Sequence, residues 1–291
     1  MTATSSTAEY SNVEYVFEPH SRTLPNIPQY IAALWDRRTF MVALASSDLR
    51  SARKSTALGS IWSILDPLFQ AAVYFFLYTV IRGGGNKSAG ATSQQKFLPI
   101  LIAGFFLFAL STAALNEGGG SIKRSKGLML NSTFPRAMLP VTAVYKSLRK
   151  FVPCVFILMI VFPLTGGKLG PGLFVLPLLF GLQLVMNVGI AMLAATFITM
   201  FSDSTNVVSY INRLLFFATP VVYPVSLLPS SAKLIIGWQP LFALFASYQA
   251  IFSGGMPSLG LIFQVFLWAG FLLLVGGNVF LRHEREFTLH L

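Results

Sequence analysis

The chain has 291 residues, 54% of them hydrophobic and 11% charged, with a mean hydropathy of +0.67. That composition excludes disorder and argues against a soluble enzyme, while six spans of about 20 residues each would leave room for a tail and loops. The 21 Lys and Arg outnumber the 10 Asp and Glu, for a net charge of +11, and they cluster between apolar blocks, where charges orient a membrane chain rather than bind nucleic acid.

Residues 1–26 are polar and Ser/Thr-rich without the charged and apolar regions of a signal peptide, and read as a flexible cytoplasmic tail. From Ile27 to Leu44 apolar residues return at helical spacing, which predicts an amphipathic helix on the membrane surface, joined by a connector ending near residue 56. The expected spans are Ile61 to Ile81, Phe97 to Leu115, Val141 to Leu164, Leu173 to Met200, Val207 to Tyr223 and Leu259 to Leu281. With both termini inside, sixteen Lys and Arg fall on the cytoplasmic side and five, Arg82, Lys87, Lys96, Lys168 and Lys233, outside. The expected fold is an all-α polytopic membrane protein: six transmembrane helices in a domain over residues 57–291, preceded by the interfacial helix.

Leu234 to Phe252 is also apolar, but Gly237-Trp238-Gln239-Pro240 interrupts it. Two re-entrant half-helices within about residues 225–255, before the last span, are the expected form. Broken backbone at that depth is tolerated only inside protein or beside a water-filled cavity.

Gly83-Gly84-Gly85-Asn86-Lys87-Ser88 resembles a phosphate-binding loop only superficially, because Asn86 stands where Gly must precede Lys87 and two spans flank it. It reads as an external loop. The single Cys154 reads as a small buried hydrophobe, and His20, His283 and His290 are too scattered for a metal site. No Ser/His/Asp or Cys/His set is visible, so no catalytic and no metal-ligating residues are assigned.

Two stripes of polar and aromatic residues run along the spans. Asp66, Gln70, Tyr74 and Tyr78 recur at i+4 in the first; in the fifth, Asn212, Phe216 and Tyr223 belong to a run that starts at Thr205 and alternates i+4 and i+3 steps. Gln and Asn are disfavoured against lipid, so both faces turn inward, either as a substrate path on which sugar rings stack or as glue between helices. Arg50, Arg53 and Lys54, just before the first span, either attract an anionic group or simply anchor the topology. Between spans two and three, about residues 121–133 form either a solvated loop or a short basic and apolar helix. In the second case Ser121, Ile122, Lys123, Arg124, Lys126, Leu128 and Leu130 would dock into a cytoplasmic motor.

Three stretches carry a resemblance: Asp48-Leu49-Arg50 through Leu58-Gly59-Ser60-Ile61-Trp62 and Asp66-Pro67-Leu68; Asn131 to Pro140 with Phe134-Pro135-Arg136 and Leu139-Pro140; and Thr219-Pro220-Val221-Val222-Tyr223-Pro224. Over nearly all of residues 45–290 the chain resembles the membrane subunit of type-2 ABC exporters, in the polysaccharide and teichoic acid branch of Wzm- and TarG-like permeases. Its aromatic and Ala/Gly-rich style resembles that of actinobacterial galactan-lipid exporters. One departure is Phe201-Ser202-Asp203-Ser204, where the family often carries Arg-Asp.

The resemblance implies six spans, a coupling helix, re-entrant helices, and a homodimer working with two ATP-binding cassette subunits in the cytoplasmic (inner) membrane. The chain itself would hold no cofactor, Mg-ATP being bound by the partner subunits. The implied function is the permease half of an exporter of polyprenyl-diphosphate-linked polysaccharide of O-antigen, galactan or teichoic acid type. An ABC permease for a drug or small lipid is the alternative, and a membrane-embedded glycosyl or lipid transferase a further one that lacks a carboxylate or metal constellation.

Overall fold

A computed structural model describes residues 27–54, 61–83, 87–131, 134–164, 170–201 and 203–290. The expected tail over residues 1–26 and part of the external glycine loop lie outside the described residues, within which all regular structure is helical.

The surface helix expected as one piece from Ile27 to Leu44 is two helices, α1 (Ile27–Asp36) and α2 (Arg38–Lys54), broken at Arg37. The break is held by Arg38, whose Nη1 donates to the carbonyl of Trp35 at 3.2 Å while its guanidinium lies 5.3 Å from the Trp35 ring centre. Bonding of a basic side chain to the last carbonyls is how a helix end is commonly closed. Tyr30, Leu34 and Leu44 turn towards the protein and pack against Ile122, Met129, Phe280 and Phe287. Ile31 and Trp35 stay 59% and 67% exposed, an apolar outer face suited to lipid.

Then come α3 (Trp62–Gly83) and α4 (Lys87–Ala113). The second span was expected to begin at Phe97, yet its helix starts ten residues earlier, and past Ala113 it does not end but widens into a π-turn, Ala114–Gly118. Two short helices, α5 (Ser121–Arg124) and α6 (Lys126–Asn131), lead to α7 (Met138–Leu164). A 3-10 turn, Pro171–Val175, opens α8 (Leu176–Met200), and α9 (Ser204–Ala218) follows. The interrupted apolar stretch forms α10 (Ser230–Ile236) and α11 (Pro240–Phe252), before α12 (Leu259–His283). Gln239 is extended because a proline follows it, which separates the two short helices.

Among the described residues four helical stretches are long and apolar enough to cross a bilayer: Leu98–Gly118, Met138–Leu164, Pro171–Met200 and Leu259–His283; Ile64–Leu77 and Pro240–Phe252 are shorter. The fifth expected span, drawn from Val207 to Tyr223, is a helix of only 15 residues. It stops at Ala218 because Pro220 drives Thr219 into extended backbone. At about 1.5 Å per residue such a helix is shorter than the roughly 30 Å hydrocarbon layer.

Of the four long stretches, Leu98–Gly118 is the inner one, with 72% of its apolar window buried against 28% or less for the others. Phe105, Phe106 and Phe108 of α4 meet Leu179 and Met186 of α8 and Leu241, Leu244 and Phe245 of α11 in one aromatic-rich core. A polar knot runs through it. Fully buried Gln183 donates to the Leu107 carbonyl and to Ser111 Oγ, both at 2.9 Å, and accepts from Tyr248 Oη at 2.8 Å. An amide in such surroundings costs little only when both ends are bonded, and here they are. Gln183→Leu is therefore expected to lower stability by about 1–3 kcal/mol by orphaning the tyrosine hydroxyl, and Gln183→Leu with Tyr248→Phe to recover part of that loss. Thermal melts of the purified variants in detergent check this.

Backbones approach closely where side chains are small. A Cβ added at Gly189 of α8 would overlap the backbone of Leu272 in α12, and one at Gly276 would overlap Gly189 in return. At the end of α11, Gly254 has φ 83°, the left-handed conformation that favours glycine, and a Cβ on Gly170 before α8 would collide with its carbonyl.

Candidate functional site

Asp66, Gln70 and Tyr74 follow one another at i+4 along α3. Asp66 and Gln70 line a cavity of about 300 Å³ between α3, α4 and α7, with Phe105, Phe106 and Phe151 as apolar walls and Glu117 and Lys150 as charged ones. One turn on, Tyr74 leaves this cavity and packs at 5.5 Å against both Phe105 and Phe216, centre to centre. Phe216 touches Phe105 at 5.7 Å and Phe108 edge-on at 5.5 Å. The two stripes therefore meet through Tyr74 and Phe216, which sequence spacing alone could not establish. The side chain of Tyr78 lies outside the described residues.

On α9, Asn212 sits one turn before Phe216 and donates from Nδ2 to Asn116 Oδ1 at 2.7 Å; its own Oδ1 is buried with no hydrogen-bond partner among the described residues. Asn212 also borders an apolar cavity of about 620 Å³ lined by α4, α8, α9 and α12. Tyr223, expected to extend the same helical stripe, does not, because the helix has ended five residues earlier. Its hydroxyl donates back to the Phe217 carbonyl at 3.0 Å.

The turn that carries Tyr223 is held by a residue outside both stripes. Gln249 of α11 donates to the carbonyls of Pro220 at 2.6 Å and Tyr223 at 2.9 Å and accepts from the Val225 N–H at 3.0 Å. Gln239 adds a bond to Thr219 Oγ1 at 3.1 Å. The signal was present: a glutamine inside an apolar run, the same feature that singled out Gln70.

A second omission is ionic. Glu117, in the π-turn, receives Lys150 at 2.5 Å and Lys146 at 3.2 Å, and Lys146 also reaches Asp48 of α2 at 3.4 Å. Arg149 donates to Ser46 Oγ at 2.6 Å. Lys146, Arg149 and Lys150, which the charge count assigns to the cytoplasmic side, join α7 to α2 and to the end of α4. Their i+3 and i+4 spacing was the available signal.

Ahead of the first span, Arg50 is exposed on α2, while the side chains of Arg53 and Lys54 lie outside the described residues. The basic and apolar stretch after the π-turn is helical but kinked at Ser125. Ser121 and Ile122 face inward, Ile122 fully buried, so they anchor the element instead of projecting from it. Lys123 and Leu128 are half-buried, Arg124 and Lys126 are exposed, and Leu130 is 57% exposed. The free apolar surface thus belongs to Leu130 rather than Ile122.

Beside these short helices, three distant segments converge on one carboxylate. Tyr30 Oη donates to Glu284 Oε1 and Oε2, each at 2.9 Å, and accepts from the Ala137 N–H at 3.2 Å. The Arg136 N–H donates to Glu284 Oε1 at 2.7 Å, and its guanidinium reaches the Glu284 carbonyl. Burial holds the Glu284 carboxyl above its ordinary range, and burial together with the Glu284 charge raises the Tyr30 phenol.

Residues 39–253 match the family described as ABC-2 type transporter. The chain is 26% identical over 268 residues to the O-antigen export system permease protein RfbA of Myxococcus xanthus, covering 89% of this chain and 97% of that protein. It is 23% and 24% identical over 251 residues to two O-antigen export system permease proteins RfbA of Klebsiella pneumoniae, each match covering 85% of this chain and 93% of that protein.

Proposed function

This chain belongs to the ABC-2 type transporter family, and from that premise we propose that it is the permease of an ATP-driven exporter of polysaccharide carried on a polyprenyl diphosphate. It is a membrane protein and a transport subunit rather than an enzyme. The carrying observation is the meeting of the two polar and aromatic stripes at Tyr74 and Phe216, in a chain that matches O-antigen permeases along nearly its whole length. Aromatic faces and amide side chains together suit a glycan, whose C–H faces stack while its hydroxyls bond.

In this reading two copies form a homodimer with two ATP-binding subunits that hold Mg-ATP, in the cytoplasmic membrane with both termini inside. Asp66, Gln70, Tyr74, Tyr78, Asn212, Phe216 and Tyr223 border the glycan path. Arg50, Arg53 and Lys54 receive the diphosphate, α5 and α6 dock into the ATPase, and α10 and α11 dip into the outer leaflet as re-entrant helices.

The test is purification of the tagged chain in mild detergent, mass spectrometry of what accompanies it, and ATP hydrolysis with and without polyprenyl-linked glycan. A stoichiometric ATP-binding subunit with glycan-responsive hydrolysis is expected, and a chain that purifies alone and hydrolyses nothing overturns the reading. Replacing Arg50 and Arg53 by Gln is expected to cut export while leaving insertion and dimerisation unchanged. Normal export at normal membrane content would remove their part in headgroup binding.

The 620 Å³ apolar cavity favours a second reading, in which a drug or small lipid is the cargo. Tyr74→Leu and Phe216→Leu separate the two: both should slow glycan passage and spare small apolar cargo, as transport assays in vesicles would show.

A further inference from the structure

The π-turn between α4 and α5 is bonded to α5, α7 and α9 and packs on α8. On one side, Ser121 Oγ donates to the Gly118 carbonyl at 2.6 Å and the Arg124 guanidinium reaches the Glu117 carbonyl, so the first turn of α5 is bonded to the π-turn. On the other, Glu117 holds Lys150, which lines the cavity with Asp66 and Gln70, and the adjacent Asn116 holds Asn212. One turn of helix thus bonds the α9 stripe and borders the cavity that Asp66 and Gln70 of the α3 stripe line. Gly118 and Gly119 lie against Ala191, Ala194 and Ile198 of α8 with no room for a Cβ, which gives the turn a fixed bearing surface. π-turns inside α-helices are rare and frequently stand at functional sites.

We propose that the π-turn Ala114–Gly118 is the joint that carries displacement of α5 and α6 to both polar stripes, with Glu117 the positioning residue for the α3 side and Asn116 for the α9 side. This rests on the reading of the chain as the permease of an ATP-driven exporter. Displacement of α5 moves the carbonyls to which it is bonded, the turn bears on α8, and Glu117 shifts relative to Lys150. The Lys150 ammonium then moves within the cavity of Asp66 and Gln70 while the Asn116–Asn212 bond moves α9. Lys146, shared between Glu117 and Asp48, carries the same displacement to α2.

Cys154, the chain's only cysteine, is buried in the wall of that same cavity and serves as a native reporter. The experiment uses the complex with its co-purified ATP-binding subunit in lipid nanodiscs. The rate of N-ethylmaleimide modification of Cys154 is measured by mass spectrometry with ATP plus vanadate and with ADP. In the wild type the two rates should differ by roughly fivefold or more, the scale of ordinary coupling between sites. In Glu117→Gln they should converge at unchanged melting temperature and unchanged ATPase-subunit content, which a merely structural role for Glu117 would not produce.

Equal ratios in Glu117→Gln and wild type, or no nucleotide dependence in the wild type, overturn the joint. Should Glu117→Gln fail to accumulate, the exchanged pair Glu117→Lys with Lys150→Glu is compared with Lys150→Glu alone. The exchange should restore the ratio that the single variant loses, and equal loss in both overturns the proposal. Absence of any ATP-binding subunit in the purified wild type instead defeats the exporter reading, and the joint with it, whereas its presence with equal ratios defeats the joint alone.

Discussion

Gly189→Val is expected to prevent α12 from seating against α8 and to leave little or no folded protein in the membrane. The atoms a Cβ would overlap are the carbonyl group of Leu272 and the next amide nitrogen, and Gly276 of α12 presses back on Gly189 itself. Overpacking a core costs about 1–3 kcal/mol when side chains can yield; here backbone would have to move, so the loss lies at or beyond the top of that range. Lipid tails are as apolar as the helices, so close packing at small residues is a main source of cohesion between them. The check is fluorescence-detected gel filtration of the variant beside Gly260→Val, where an added Cβ meets nothing within 4 Å. Comparable yields of the two variants would contradict the contact.

Glu284→Ala is expected to produce the second large effect, and Glu284→Gln a much smaller one. The alanine leaves the Tyr30 hydroxyl and the Arg136 N–H without their acceptor, towards the low end of about 1–3 kcal/mol for each partly buried donor. Glutamine keeps an acceptor oxygen and removes the charge that burial disfavours. The pH dependence follows from the direction of the shift. Because the folded-state carboxyl titrates above its ordinary value of 4.5, its stabilising contribution is complete below that value and is lost as pH rises through the raised one. Melting temperatures of the wild type should therefore fall relative to Glu284→Gln across that window, and parallel curves would show that burial does not raise the Glu284 carboxyl. Since Tyr30, Arg136 and Glu284 join α1, the start of α7 and the end of α12, loss of this knot should free α1 first, which proteolysis near Arg37 would detect.

Much of the architecture was legible because membrane spans are written in composition. Blocks of about 20 apolar residues and basic clusters between them follow from the cost of placing charge and unbonded backbone in hydrocarbon. Local rules served equally well at Gly237-Trp238-Gln239-Pro240, where a proline and its predecessor separated α10 from α11. The same rule was passed over at Thr219-Pro220, so the fifth span was drawn five residues too long and Tyr223 placed on a helix that had ended. Hydropathy also ends the second span at Leu115, although the helix continues through Asn116-Glu117-Gly118 as a π-turn whose Glu117 is neutralised by two lysines from α7.

What the sequence by itself determined is the class of protein and the spacing of its two stripes, since hydropathy and helical periodicity act along the chain. Only the tertiary structure decided that Tyr74 meets Phe216, that Ile122 is buried while Leu130 is exposed, and that Glu117 pairs with Lys146 and Lys150 and Glu284 with Tyr30. The reason is physical: a buried polar group must find its partner wherever packing brings one close, and the partner of Glu284 lies 254 residues away in the chain. No periodicity within a single helix records such a distance.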